Sequence, residues 1–265
     1  MRAFTKYTWI GYTSARANLA YTGEVLVRTV FIAVILYIFL RLWAAVYSES
    51  GAQLLGGLTL AQMLWYLMIT EAFWMSSSRL SFEVDEDVRT GRLAIQITKP
   101  LSYPGALLGK ALGERVVRFT INLAVGSVVA LALVGPIRMT GRGLLMFLAV
   151  LPLSFALDAL GLIIVGFFAF WFESTAGLSI LYSRTAMLAG GTMLPLDLYP
   201  PALQTICSWL PFATMIYGPA RLFVDPEPSL LQHVLFMQGG ALVVFFFIVI
   251  AIEHLALQRI HSHGG

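Results

Sequence analysis

Apolar residues along this chain gather in long runs separated by short polar or charged stretches. Six segments, roughly 29–47, 54–75, 116–135, 144–172, 176–194 and 234–256, are long enough as helices to cross a hydrocarbon layer of about 30 Å. The last, HVLFMQGGALVVFFFIVIAIEHL, is the most continuous, whereas the fifth is interrupted by Arg184 and followed at once by prolines. The pattern predicts an all-α polytopic membrane protein: one membrane domain over 1–265 with about six transmembrane helices.

Three stretches fit neither a plain span nor a plain loop. Residues 3–23 mix Phe4, Tyr7, Trp9, Ile10, Leu19 and Tyr21 with Lys6 and Arg16, a composition that suits a helix lying in the membrane interface. The loop 77–115 opens with the acids Glu83, Asp85, Glu86 and Asp87, then Arg89 and Arg92, then apolar Leu93, Ile95 and Ile97, and stops at Lys99-Pro100. A charge run is usually a solvated face, but one joined to an apolar triplet forms a short amphipathic unit suited to docking on another protein. Gly105, Gly109 and Gly113 follow at four-residue spacing, which lets a helix approach a neighbour closely. In the third stretch, 195–228, seven of the eleven prolines sit among Leu, Trp, Phe, Met and Tyr. Proline breaks the helical ladder and lipid does not tolerate unpaired backbone, so this stretch is expected to form short helical pieces that re-enter the outer leaflet and pack on protein.

Composition sharpens this picture. The chain is 58% hydrophobic and 12% charged with a mean hydropathy of +0.81, against about 25% charged in soluble domains. The net charge of +3 does not signal nucleic acid, because the basic residues flank apolar runs. With the N-terminus inside, thirteen of the seventeen Lys and Arg fall on the cytoplasmic side, the exceptions being Arg41, Arg138, Arg142 and Arg221. Both termini are therefore expected in the cytoplasm. The first residues lack an apolar h-region backed by a cleavage site, so no cleaved signal peptide is expected. Cys207 is the single cysteine, which excludes an internal disulfide.

Candidate chemistry is sparse. The chain has no phosphate-binding P-loop, no H-E-x-x-H and no G-x-S-x-G motif. His261 and His263 read as a tail and not as a metal site. Asp158, near the middle of the fourth span, is the one intramembrane acid that invites a role. It either meets a polar or cationic solute or serves as a structural acid packed in the bundle, with Ser154 one turn away as a local partner. An ion-coupled secondary transporter would carry several such acids and an inverted repeat; a non-transporting membrane scaffold is the other competing reading.

The six-span layout, the interfacial helix, the charged loop and the proline-broken segment together resemble the ABC-2 class of exporter permeases. Residues 89–100, RTGRLAIQITKP, look like that family's cytoplasmic Gly-Arg/Lys-Leu stretch ending in Arg/Lys-Pro. Residues 194–221, LPLDLYPPALQTICSWLPFATMIYGPAR, look like its outer segment, with Pro195, Asp197, Pro200 and Pro201 leading to Pro211-Phe212 and then to Pro219 and Arg221. The match is similar to multidrug or viologen-type exporters. It implies a permease subunit that is not itself an enzyme and binds no cofactor, with ATP and Mg held by separate ABC ATPase subunits on the cytoplasmic face. It also implies a second permease subunit, identical or related, and a plasma (inner) membrane location. On this resemblance Glu83, Asp85, Glu86, Asp87, Arg89, Arg92, Leu93, Ile95 and Ile97 form the ATPase-docking element, and the second and fifth spans line the path.

Overall fold

The structure, a computed structural model, describes residues 2–19, 22–138 and 140–263. The side chains of Phe4, Leu19, Tyr21, Ile97, Arg259, His261 and His263 lie outside the described set. The helices run α1 (Arg2–Leu19), α2 (Thr22–Ser50), α3 (Leu60–Met75), α4 (Leu80–Arg89), α5 (Arg92–Ile97), α6 (Tyr103–Val134), α7 (Gly141–Phe167), α8 (Ala176–Ala189), α9 (Pro201–Trp209), α10 (Gly218–Val224) and α11 (Pro228–His263). Short 3-10 turns cover Phe168–Phe170 and Leu196–Leu198, and a π-turn covers Ala213–Tyr217.

Helix α7 organises the bundle. Two thirds (67%) of its apolar window is buried by protein, against 11% for α11, whose outer face of Phe236, Val243, Val244 and Phe247 is left for lipid. At one end of α7, Gly166 lets α4 approach so closely that a Cβ there would meet Val84 at 2.6 Å. Near the other end, Met146 and Val150 pack on Leu222 and Val234, and Gly143 abuts Pro226. About 35 Å of helix rise separates Gly143 from Gly166. The 77–100 segment and the 195–225 segment therefore sit at opposite ends of a membrane-thick helix.

Four helices are long and apolar enough to span: residues 30–50, 103–134, 141–170 and 228–256. Two of the six anticipated spans are shorter than their apolar runs. α3 has 16 residues and α8 has 14, only about 24 and 21 Å of rise. Thr59 and Gln62 close a capping box that fixes the start of α3 at Leu60 and leaves 54–59 as a turn. α8 stops at Gly190-Gly191, where Gly191 takes φ +66°. The anticipated loop 77–115 also ends early, at the N-cap Ser102, because α6 is one helix of 32 residues. Two charges expected in that loop are paired on α6, Lys110 with Glu83 and Arg115 with Asp158, and Arg118, in the anticipated third span, pairs with Glu114 and Asn18.

The glycines of α6 accept α1. A Cβ at Gly109 would meet the Tyr7 carbonyl at 2.8 Å, and one at Gly113 would overlap the Gly11 carbonyl oxygen. Tyr7 also reaches the far side of the turn, where its hydroxyl accepts from the Ser102 N–H at 3.0 Å. Backbone thus lies on backbone along this contact, and van der Waals packing of small residues holds it. Gly113→Val is expected to displace α1 at a cost of about 1–3 kcal/mol, read as faster amide exchange across residues 5–16. Unchanged protection there would show that α1 does not depend on this contact.

Candidate functional site

The centre of the bundle is a buried ion pair. Arg115 of α6 and Asp158 of α7 are each 2% exposed, and guanidinium Nη1 bonds carboxylate Oδ2 directly. Arg115 Nη2 donates to the Phe73 carbonyl at 3.3 Å, and the guanidinium lies 4.1 and 4.9 Å from the ring centroids of Phe73 and Phe155. Asp158 also accepts from Ser77 Oγ at 3.0 Å and from the Tyr182 hydroxyl at 3.4 Å. A carboxylate and a guanidinium this deep persist only because each neutralises the other and finds hydrogen bonds. The anticipated partner Ser154 is not used: its hydroxyl donates to Val150 and accepts from Gln238 instead. In this arrangement Asp158 joins α6, α7, α8 and the turn after α3.

The charged run splits by helical periodicity. Leu80, Val84, Asp85 and Asp87 face inward, while Phe82, Glu86 and Arg89 face outward. Asp85 Oδ1 accepts both the backbone N–H (2.9 Å) and the hydroxyl (3.0 Å) of Thr175, the N-cap residue of α8, and so fixes that helix start to α4. Asp87 accepts from the Tyr103 hydroxyl at 2.9 Å and pairs with Arg92 at 3.2 Å. Glu83 takes Lys110 at 2.6 Å, and Glu86 takes Arg92 at 2.7 Å. The acids therefore do not form one docking face. Three of them, Glu83, Asp85 and Asp87, bolt α4 to the spans, and Leu93 does the same for α5, being 4% exposed in a cluster with Leu80, Val84 and Ile163. Among the described residues, Ile95, 66% exposed, and Phe82, 47% exposed, are the large apolar groups left outward. Phe82 was missed in the sequence, although its spacing from Glu86 and Arg89 marks the outer face.

The 195–225 segment is held from inside. Asp197 accepts the Tyr217 hydroxyl at 2.9 Å and pairs with Arg221 at 3.4 Å, while Arg221 also pairs with Asp225 at 3.0 Å. Burial first, then the Asp197 carboxylate, pushes the Tyr217 hydroxyl well above the usual phenol range, so it stays a donor. Pro195 precedes the Leu196–Leu198 turn, Pro200 and Pro201 open α9, Pro211 follows it, and Pro219 sits in the first turn of α10. Each proline lies where a helix starts or stops. Phe212 packs edge-on against Tyr182 at 5.6 Å, and Gln238 donates to the Thr214 carbonyl at 2.8 Å. These contacts carry irregular backbone down to the depth of the Asp158 cluster.

The structure thus brings Asp158, Tyr182 and Phe212 together and links Asp85 to α8. Ile95 stays outward, and Arg89, itself exposed, reaches this group through Asp85 alone, at 3.6 Å. A family model described as an ABC-2 family transporter protein matches residues 30–264. No match was found among curated proteins.

The ion pair yields a test. Asp158→Leu strands a buried guanidinium, and Arg115→Met strands a buried carboxylate, so each single change is expected to cost about 3–5 kcal/mol. The double replacement Arg115→Met/Asp158→Leu removes both charges and is expected to recover much of that loss. Thermal unfolding of the four proteins in one detergent checks this. Additive losses in the double variant would reject the pairing.

Proposed function

The chain belongs to the ABC-2 family of transporter proteins, and from that premise we propose that it is the permease half of an ATP-driven exporter. The family makes it the transmembrane component that associates with ABC ATPases, in a membrane. Export direction, alternating access, a second permease subunit and a plasma-membrane location are the further steps of the reading. ATP and Mg would be held by the partner ATPase, since this chain carries no P-loop.

The observation that carries the proposal is the two-sided plate α4–α5. Its inner side is fastened to α6, α7 and α8 by Lys110, Val84 against Gly166, and Thr175. The outer side offers Phe82, Glu86, Arg89, Arg92 and Ile95, two apolar anchors among charges, the make-up of a small docking patch. A force applied to this plate reaches α8 through Asp85 and Thr175. With the plate cytoplasmic, the 195–225 segment at the other end of α7 becomes the outer re-entrant cap of the path.

Two outcomes are expected. Phe82→Asp/Ile95→Asp should leave the permease folded yet cut ATPase co-purification at least about tenfold, whereas Leu93→Asp should unfold it. Full assembly with the double variant would move the dock elsewhere. The second outcome concerns Cys207, which is buried in α9 and whose thiol burial pushes up from its ordinary value. A membrane-impermeant maleimide should label it from outside, slowly at neutral pH and faster as pH rises, because the thiolate reacts. Labelling from the cytoplasmic side alone would invert the topology.

A further inference from the structure

A cavity of about 360 Å³ opens between the end of α3, the start of α4, α7 and α8, large enough for a small organic ligand. Its polar lining is cationic. Arg79 and Arg184 both border it, and among the described residues neither forms an ion pair. The hydrogen bond recorded for Arg184 is a long one, 3.8 Å to Met187 Sδ. The neighbouring carboxylates are already committed: Asp158 to Arg115, Glu83 to Lys110, and Asp85 to Thr175.

Ser179 gives a second, independent sign. It is 3% exposed and borders the cavity, and its Oγ has no hydrogen-bond partner, although buried hydroxyls are ordinarily satisfied. Ser78, Ser81 and Ser183 add further hydroxyl-bearing residues to the lining, and Trp74, Leu162 and Met187 supply an apolar wall. Arg184 stands about 13 Å of helix rise beyond Thr175, in an otherwise uncharged helix, where a charge facing lipid is costly and commonly marks a solute pathway.

We propose that this cavity binds an anionic amphiphile, a molecule with one carboxylate- or phosphate-type group on an apolar body. Arg79 and Arg184 clamp the anion, the Trp74 wall receives the apolar part, and a rotation of the unpaired Ser179 hydroxyl toward the cavity would add a donor. Taking this ligand as the transported solute rests on the permease reading above.

The test uses the full-length chain alone in neutral phosphatidylcholine nanodiscs, titrated calorimetrically with octyl phosphate, octylamine and inorganic phosphate, with empty discs subtracted. Saturable binding of octyl phosphate is expected, with weaker binding of inorganic phosphate and none of octylamine. Arg184→Gln and Arg79→Gln should each weaken octyl phosphate about tenfold, and Arg184→Lys should restore most of the affinity. Repeating the titration in phosphatidylglycerol discs separates the sources: competition assigns the site to a bilayer lipid, and undiminished binding to a solute from the aqueous side. Equal binding of octylamine, or unchanged affinity in the Arg79→Gln/Arg184→Gln variant, would overturn the proposal while leaving the permease reading intact. Failure of any ATPase to assemble with the wild-type chain would instead remove the transport role and leave the binding result standing.

Discussion

The rest of the fold depends on the neutralisation of one guanidinium by one carboxylate in a medium that solvates neither. Arg115 and Asp158 have no route to water at 2% exposure, so the helices that carry them cannot slide or rotate without stranding a charge. Their remaining bonding capacity recruits neighbours: the Phe73 carbonyl and Ser77 hydroxyl bring the end of α3, and the Tyr182 hydroxyl brings α8. Four elements are thereby set to a common depth. A Cβ at Gly161 would overlap the Tyr182 hydroxyl, so even the spacing of α7 and α8 is tuned to this cluster.

From that fixed depth a run of direct contacts extends both ways. Towards one end, α8 begins at Thr175, gripped by Asp85 of α4. Towards the other, Tyr182 meets Phe212, and the segment continues to Tyr217, Asp197 and Arg221. α8, like α7, is touched by both ends of the molecule, but it is short, ended by Gly190-Gly191, and lined with serines on its cavity side. A helix with few large buried side chains and anchored ends is well placed to move as a lever between them.

Long apolar runs made the helical class and the main spans legible in the sequence, because desolvation leaves little else for such runs to form. Boundaries were legible only where capping chemistry was local. Thr59-x-x-Gln62 states the start of α3 in four residues, yet its signal lay inside an apolar run. The charges on α6 misled because their partners lie far along the chain: Arg115 is 43 residues from Asp158, and Arg118 is 100 from Asn18. Composition reports that a charge exists and not whether it is compensated. The same limit divided the acidic run. Asp85 and Asp87 carry the same chemistry as Glu86 one turn position away, and only the helical phase of α4 decides that they point inward. Arg79 could not be grouped with Arg184 and Ser179 from sequence, since the start of α4 has to meet α8 before they share a cavity.

The wide sequence separation of the central pair also has a history in time. On a ribosome adding about 5–20 residues per second, Arg115 emerges some 2–9 seconds before the aspartate that will neutralise it. During that interval the first half of α6 carries an uncompensated cation that is stable only in contact with water or headgroups. Until α7 arrives that charge adds a cost of about 2.5–3.5 kcal/mol to placing α6 at mid-membrane, one that Asp158 offsets only when both helices have been made.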